Sequence, residues 1–460
     1  MLHVTKLRRL APLAALALLG MAGCKDFLTA GETQVDPNRP TQAGNRLLFV
    51  GIQSNIWSQL GSDPARVSGI WAGQLNGTQG QYFTTNNYGV SEQTTNGFHA
   101  SLYAGGGLVD IRKLQAASIA QTDTLMLGIA QVQEAILIST GADMFGDLVY
   151  SHALTGEANP ALDKQMDIYD ALTETLLVQA IDNLSVEQGG TNLGPGAADL
   201  AYGGDPAAWL KLAHTVRARI YMHEGEVRGA AAYAKALAEA RLGLTSSADD
   251  FVAVYSGASL SEANFFFQFD QVQRFGYLVP NISFVDTLQN RNDPRVDDYF
   301  VENSDFCGAE FCFSEARDAP DFTQPLITSN QNLLVWAEAA YRTGNILEAQ
   351  TQYNNERAMS GVPANGLTLV GDPLLAAILG EKYIVNFQTI EAWNDYKRTC
   401  YPNVTPNLAG LKIPARFLYD TNERQTNTSI PQAQDQPTRN QNDPPNAVSD
   451  GQGATACVGQ

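Results

Sequence analysis

The sequence predicts a mainly α-helical protein that also carries an irregular, loop-rich part. Apolar residues recur at helical spacing in several long segments, and these alternate with stretches rich in Gly, Asn, Gln and Thr. The apolar fraction of 44% is ordinary for a globular chain. Together these observations favour a helical scaffold interrupted by long loops.

Apolar spacing and helix-end signals predict the regular helices in order. The first helix carries Leu48, Ile52, Ile56 and Leu60, one apolar residue every four. Gly225 and Gly243 lie where later helices would end. Further segments of good helix formers span residues 125–142, 167–184, 206–224, 230–242, 330–359 and 373–387.

Two insertions and a tail lack this regularity. Residues 62–104 are predicted to form long loops with short helices, and residues 245–325 form a second loop-rich insertion. Within the latter, the Phe-rich run 265–269 is predicted to be a buried strand or core segment. Residues 431–460 are polar and are predicted to form a flexible tail.

Residues 330–359 are predicted to be two helices joined at residues 343–345. Ala337, Gly344, Ala349 and Tyr353 resemble the small and aromatic positions of a tetratricopeptide helix pair. Small residues let two helices approach closely, and the aromatic ring fills the gap between units. The scaffold is therefore predicted to contain tetratricopeptide-like helical pairs.

The first 23 residues are predicted to be a signal peptide that is removed. A basic start precedes an apolar run that is too short to span a bilayer, which needs about 20 apolar residues. Met21-Ala22-Gly23-Cys24 resembles a bacterial lipobox, so Cys24 is the predicted lipidation site and membrane anchor. The alternative is ordinary cleavage that leaves Cys24 as a free thiol.

Charge and motif content exclude several function classes. The chain carries 29 Lys and Arg against 48 Asp and Glu, a net charge of −19, which disfavours nucleic acid and anionic lipid as partners. No phosphate loop, nucleophile elbow or zinc-protease helix is present, and His223-Glu224 lacks the second His of that helix. We therefore expect no catalytic residues, no cofactor and no metal site.

The remaining cysteines predict disulfides. An even set of four thiols in an oxidising compartment suggests up to two bonds. Cys307 and Cys312 could close a small loop, and Cys400 could then hold the tail through Cys457. A zinc half-site at Cys307 and Cys312 is the alternative, but no His follows nearby.

Aromatic and amide side chains in the loop-rich insertions are the candidate ligand site. Aromatic rings pack on sugar or peptide groups, and amides hydrogen-bond to hydroxyls. The alternative for each ring is packing within the loops, and Trp336 and Trp393 are predicted to be core. The candidate ligand-binding residues form two clusters: Trp71, Gln74, Asn76, Tyr82, Phe83, Asn86, Asn87 and Tyr88, then Gln273, Arg274, Phe275 and Tyr277.

Separate motifs, read in order, resemble the SusD/RagB family of nutrient-binding outer-membrane lipoproteins. The resemblance covers residues 24–430, which would form a single domain. Asp293 and Arg295, inside one of these motifs, are predicted to be a loop-fixing ion pair. The matching segments are Cys24–Leu28, Asp36-Pro37-Asn38, Gly146-Asp147, Tyr150-Ser151, Ala153-Leu154, Trp209, Arg217-Ala218-Arg219, Asn292-Asp293-Pro294-Arg295, Glu338-Ala339-Ala340 and Glu391-Ala392-Trp393-Asn394-Asp395.

The resemblance implies a surface lipoprotein that binds an oligosaccharide or a peptide and is not an enzyme. It also implies a partner, a TonB-dependent outer-membrane barrel that receives the ligand. The membrane would be contacted through the lipid anchor alone. Two alternatives remain open: an exported glycan hydrolase, since two carboxylates suffice for that chemistry, and a periplasmic tetratricopeptide-type scaffold.

Overall fold

The structure is a computed structural model that describes residues 44–187, 189–302, 307–365, 367–406 and 412–443. The described residues from Leu48 onward form one compact unit. The predicted signal peptide, Cys24, Cys457 and residues 444–460 lie outside the described residues.

Helices form most of the described chain, and their bounds confirm the mainly α prediction. In chain order they are α1 Asn45–Gly61, α2 Asp63–Trp71, α3 Gly80–Asn86, α4 Asn96–Ser101, α5 Leu108–Gln121, α6 Thr124–Phe145, α7 Gln165–Asp170, α8 Leu177–Leu184, α9 Pro206–His223, α10 Gly225–Arg228, α11 Ala230–Ala240, α12 Phe265–Phe267, α13 Ile282–Asn290, α14 Arg295–Tyr299, α15 Ser329–Arg342, α16 Ile346–Met359, α17 Gly371–Val385, α18 Glu391–Thr399 and α19 Thr421–Thr426. A π-helical segment, Ala171–Leu176, joins α7 to α8.

The long helix α6 lies at the centre of the core. It begins at Asp123, whose carboxylate accepts a hydrogen bond from the Met126 amide at 3.0 Å. Among the described helices, α6 alone is long and apolar enough to cross a membrane, but 94% of its apolar window is buried inside the unit. Such burial is typical of the core helix of a globular protein.

The pair α15 and α16 has the packing that the sequence predicts. Thr328 and Gln331 form a capping box at the start of α15. Ala337, Ala349 and Tyr353 are buried between helices, as the small and aromatic positions of a helical pair require. The prediction that Trp336 belongs to the core is wrong in part, because its ring is only half-buried and its Nε1 donates to Glu348 at 2.7 Å.

Strands are few and short in the described chain. They form three antiparallel pairs: β1 (Leu75–Gly77) with β3 (Leu278–Pro280), β2 (Phe251–Ala253) with β6 (Gln324–Ile327), and β4 (Phe300–Glu302) with β5 (Phe311–Phe313). The pair β1–β3 connects the two loop-rich insertions.

The Phe-rich run is helical, so the strand interpretation is wrong. Asn264 accepts hydrogen bonds from the amides of Phe266 and Phe267, which starts α12, and a π-helical segment Gln268–Gln273 follows. A side-chain cap of this kind favours a helical turn over an extended strand. Phe266 and Phe269 are nevertheless buried, as the core interpretation expected.

The prediction of a flexible tail is wrong for residues 431–443, which pack against the helical unit. Asn440 Nδ2 donates to the Asp143 carbonyl at 2.7 Å, and Gln436 Nε2 donates to Glu92 at 2.9 Å. Asn442 is buried beside Gln165. Amides inserted among buried acceptors hold the segment in place, and a polar composition does not reveal such specific pairing.

Cys307 and Cys312 form a disulfide that closes a short loop. Cys400 is also disulfide-bonded. Both observations agree with the oxidised state that the cysteine count suggested.

Candidate functional site

The β1–β3 pair brings the two predicted aromatic clusters together. Asn76 is opposite Val279 across the ladder, and the amide of Thr78 donates to the carbonyl of Tyr277 at 2.9 Å. Residues 71–88 and 273–277 are therefore neighbours, although about 200 positions separate them in the sequence.

Gly80 permits this close approach. Its backbone is left-handed, with φ +53°, and a Cβ there would stand 2.6 Å from Cε2 of Tyr277. Any larger residue would push the ring away and strain the backbone. The first turn of α3 thus fits against the second cluster.

Trp71 and Tyr82 belong to the core, which corrects their prediction as ligand-binding residues. Trp71 has no exposed surface, and its ring packs against Trp393 and Phe417. The Tyr82 hydroxyl is enclosed between Asp63 and Arg66. An aromatic ring buried in this way offers no face to a ligand.

The other predicted residues divide between structural and accessible positions. Gln74 is fully buried and donates to the Tyr383 carbonyl at 2.6 Å, and Asn86 accepts from the Gly77 amide at 3.1 Å. Tyr88 packs against the core and is partly exposed. Partly or fully exposed positions are Asn76, Phe83, Asn87, Gln273, Arg274, Phe275 and Tyr277, with Phe83 and Phe275 at 56% and 50%.

A cleft of about 610 Å³ opens beside Asn76. Four segments form it: the turn before β1 with β1 itself, the start and outer face of α13, the middle of α17, and residues 401–406. Its size is within the usual range for a small-ligand site. The lining residues are Gly73, Asn76, Asn281, Ile282, Ser283, Thr287, Arg291, Gly380, Tyr383, Tyr401, Pro402, Asn403, Val404, Thr405 and Pro406.

Hydrogen bonds fix the walls of the cleft. The Tyr383 hydroxyl donates to the Ala72 carbonyl at 2.9 Å, which holds the turn before β1 against α17. Asn281 Oδ1 accepts from the Ser283 amide at 2.9 Å and so starts α13 at the rim. The walls are therefore built before any ligand arrives.

Most of these lining residues were not predicted from the sequence. Of the candidate residues, Asn76 is the one that lines the cleft. The segment 401–406 combines a tyrosine, an asparagine and two prolines, so the composition rule applied to residues 71–88 would have found it. Arg291 immediately precedes the predicted ion-pair loop, where only a scaffold role was expected.

Arg291 is held at the cleft by buried carboxylates. Its Nη2 donates to Glu381 Oε2 at 2.6 Å, and its Nε lies 3.8 Å from Asp293 Oδ2. The predicted Asp293–Arg295 pair is present, with Arg295 Nε donating to Asp293 at 2.8 Å. Burial would raise the pKa of Asp293, but hydrogen bonds from Arg295 keep that pKa below its usual value.

A buried group of three potential metal ligands lies elsewhere, in the scaffold. His223 Nδ1 is 3.0 Å from Asp143 Oδ1, and its Nε2 is 3.0 Å from Glu391 Oε2. Burial would lower the pKa of His223, but the two carboxylates raise it to about 9. A protonated imidazole donates from both nitrogens, so the three side chains form a buried, ion-paired cluster in this structure.

Known proteins resemble this chain in sequence and in fold. Residues 37–313 match the profile of a SusD-like family described as starch-binding and associating with the outer membrane. No curated protein sequence matches the chain.

Solved structures show the same fold. A chitin-binding SusD homologue from Flavobacterium johnsoniae superposes with a TM-score of 0.70 at 19% identity, over 84% of this chain and 94% of its own. A SusD homologue from Bacteroides fragilis gives 0.69 at 18% identity, over 85% and 94%. A SusD/RagB family protein from Bacteroides thetaiotaomicron gives 0.65 at 19% identity, over 85% and 95%.

Proposed function

Because the chain belongs to the SusD-like family of outer-membrane-associated binding proteins, we propose that it captures glycan nutrients at the cell surface in the cleft beside Asn76. The main support for this proposal is the chemistry of the residues that line the cleft. Hydroxyl and amide side chains line it, together with the rings of Tyr383 and Tyr401. Such groups hydrogen-bond to sugar hydroxyls and pack on sugar faces.

Exposed aromatic residues beside the strand pair extend this proposed site. Phe83 and Phe275 expose about half of their surface, and Tyr277 is partly exposed. Large apolar rings exposed in one neighbourhood favour a binding surface. We propose that Gln273 and Tyr277 contact the outer part of a longer ligand.

We also propose that Cys24 carries the lipid and that a TonB-dependent barrel receives the captured ligand. Support for the anchor comes from the lipobox-like sequence that ends at Cys24. Support for the barrel comes from the family's association with the outer membrane. The protein would then contact the membrane through acyl chains alone.

Binding without turnover is favoured over hydrolysis. A glycosidase needs two carboxyl groups about 5–10 Å apart at its substrate. Among the described residues that line the cleft, none is Asp or Glu. The lining therefore supports capture of an unaltered ligand.

Titration of the mature protein against oligosaccharides and peptides tests this function. We expect an oligosaccharide to bind without the appearance of products, and Tyr401→Ala to weaken its binding by about tenfold, as loss of a stacking ring and its hydroxyl implies. Tyr341→Ala, a partly buried tyrosine of α15, is the matched control and should leave affinity unchanged. Binding to peptides alone, or product release, would contradict the proposal.

A second experiment tests the location. Whole cells that make the natural chain should lose it to external protease, whereas a Cys24→Ser variant should not remain attached to the membrane. Copurification with a large barrel is expected for the natural chain. Protection from external protease would instead support the periplasmic scaffold.

A further inference from the structure

Arg291 gives the cleft a charge that contrasts with the rest of the molecule. The chain is strongly acidic, with a net charge of −19. Among the described residues that line the cleft, however, Arg291 is the one charged side chain. A ligand in the cleft therefore meets a cation without a carboxylate beside it in the lining.

Arg291 and Tyr401 both lie beside Gly380 of α17. Glu381 engages Nη2 and Asp293 lies near Nε, as described above. A Cβ placed on Gly380 would stand 3.7 Å from Nη1 of Arg291 and 3.3 Å from the hydroxyl of Tyr401. Nη1 of Arg291 and the hydroxyl of Tyr401 are therefore both close to Gly380, and all three residues line the cleft.

Arg291 shares its carboxylate partners with two other arginines. Arg291, Arg295 and Arg357 share three carboxylates, those of Asp293, Glu356 and Glu381. Burial, with the nearby Glu381 charge, raises the pKa of Glu356 to about 7. Asp293 and Glu381 are each shared between arginines, so neither carboxylate belongs to Arg291 alone.

We propose that the cleft selects oligosaccharides that carry a carboxylate, with Arg291 and Tyr401 donating hydrogen bonds to it. This inference rests on the proposed glycan-binding function and adds the class of sugar: an acidic sugar, for which a uronic acid is the probe. Arginine held by buried partners suits carboxylate recognition, because its guanidinium is planar and pre-organised. The amides and hydroxyls of the lining then bind the sugar hydroxyls, which favours an acidic glycan over a peptide terminus.

The test compares tetragalacturonate with its fully methyl-esterified form, which has the same sugar chain without the negative charges. Both are titrated by calorimetry into the mature natural chain, Arg291→Gln and Tyr401→Phe. Arg241→Gln is the matched control, because Arg241 also pairs with a carboxylate, that of Glu348, but lies outside the cleft. A pentapeptide with a free or an amidated C-terminus forms a further arm.

We expect the natural chain to bind the acid at least about tenfold more tightly than the ester, as for a hydrogen bond to a charged group. Arg291→Gln should abolish that preference, so that acid and ester bind it about equally. Tyr401→Phe, which removes only a hydroxyl, should reduce the preference by a smaller factor. Arg241→Gln should retain it.

Two results overturn the inference and separate it from the proposed function. Equal binding of acid and ester, unchanged in Arg291→Gln, would remove the carboxylate preference and leave glycan binding intact. Binding of the free-acid peptide in place of either oligosaccharide would overturn both proposals. If Arg291→Gln does not fold, an unchanged acid preference in Tyr401→Phe contradicts the inference by itself.

Discussion

In the scaffold, Glu338 is enclosed by Lys382 and Arg398, whereas in the cleft the side-chain amides of Asn76 and Asn403 make no hydrogen bond to another described residue. Burial would raise the pKa of Glu338, but the two cations hold that pKa far below its usual value. The Glu338 carboxylate is thus paired within the protein, whereas the side-chain amides of Asn76 and Asn403 remain available to a ligand.

This contrast explains how one chain provides both a stable scaffold and a ligand-binding cleft. The ion pairs that Glu338 makes with Lys382 and Arg398 join separate helices of the scaffold, and breaking such a buried pair is costly. A rigid frame then holds the cleft walls apart, so the ligand does not have to order them. Changes in the scaffold should therefore affect stability, and changes in the cleft should affect affinity.

The largest effect is expected for Glu338→Ala. Lys382 and Arg398 would lose a shared buried partner, and unfolding should become easier by about 3–5 kcal/mol. Glu348→Ala is the matched control in the same helical pair, because its partners are the exposed Arg241 and the half-buried Trp336, and it should cost only about 1 kcal/mol. Chemical denaturation measures both. Similar small losses in the two variants would contradict the contrast.

A pH-dependent effect of up to a few kcal/mol is expected for His223. Its folded pKa of about 9 lies above the ordinary value of 6.5, so its stabilising contribution is complete below pH 6.5 and is lost as the pH rises through 9. The stability difference between the natural chain and His223→Gln should therefore shrink over that interval. A difference that is constant with pH would show that His223 is not held as a cation.

A smaller loss is expected for Asn440→Ala in the C-terminal segment. The Asp143 carbonyl would lose a buried hydrogen bond of 2.7 Å, at a cost of about 1–3 kcal/mol. Gln434→Ala, an exposed amide in the same segment, is the control and should change stability by less than about 0.5 kcal/mol. Equal results for the two would mean that the segment does not support the scaffold.

The smallest change in stability is expected for Asn76→Ala in the cleft. Its side chain supports no other described group, so unfolding should change by less than about 0.5 kcal/mol. Oligosaccharide affinity should nevertheless fall severalfold, since one hydrogen-bonding group is lost. Thermal melts and titration of the same preparation separate the two effects. A clear loss of stability with unchanged affinity would place Asn76 in the scaffold.

The scaffold was largely predictable because the sequence patterns that specify its helices lie within short stretches of the chain. The repeated apolar spacing of α1 and the small residues between α15 and α16 are both visible within short windows of sequence. Helix ends differ from the prediction by a few residues, as fraying and capping allow. Family motifs added the connection between these separate segments.

The cleft was less predictable because it depends on distant pairings. The β1–β3 pair joins residues about 200 positions apart, and no local sequence pattern predicts this pairing. Trp71 and Phe83 occur in the same kind of sequence, yet one ring is buried and the other exposed. The burial of Asn440 likewise follows from one distant carbonyl, which composition does not reveal.

Hydrogen exchange with the best-binding oligosaccharide tests the central claim most directly. The account predicts that bound ligand protects amides in residues 73–77, 281–291 and 401–406, which form the cleft, and leaves α15 and α16 unchanged. Protection confined to α15 and α16, with no change in the three cleft segments, would contradict it.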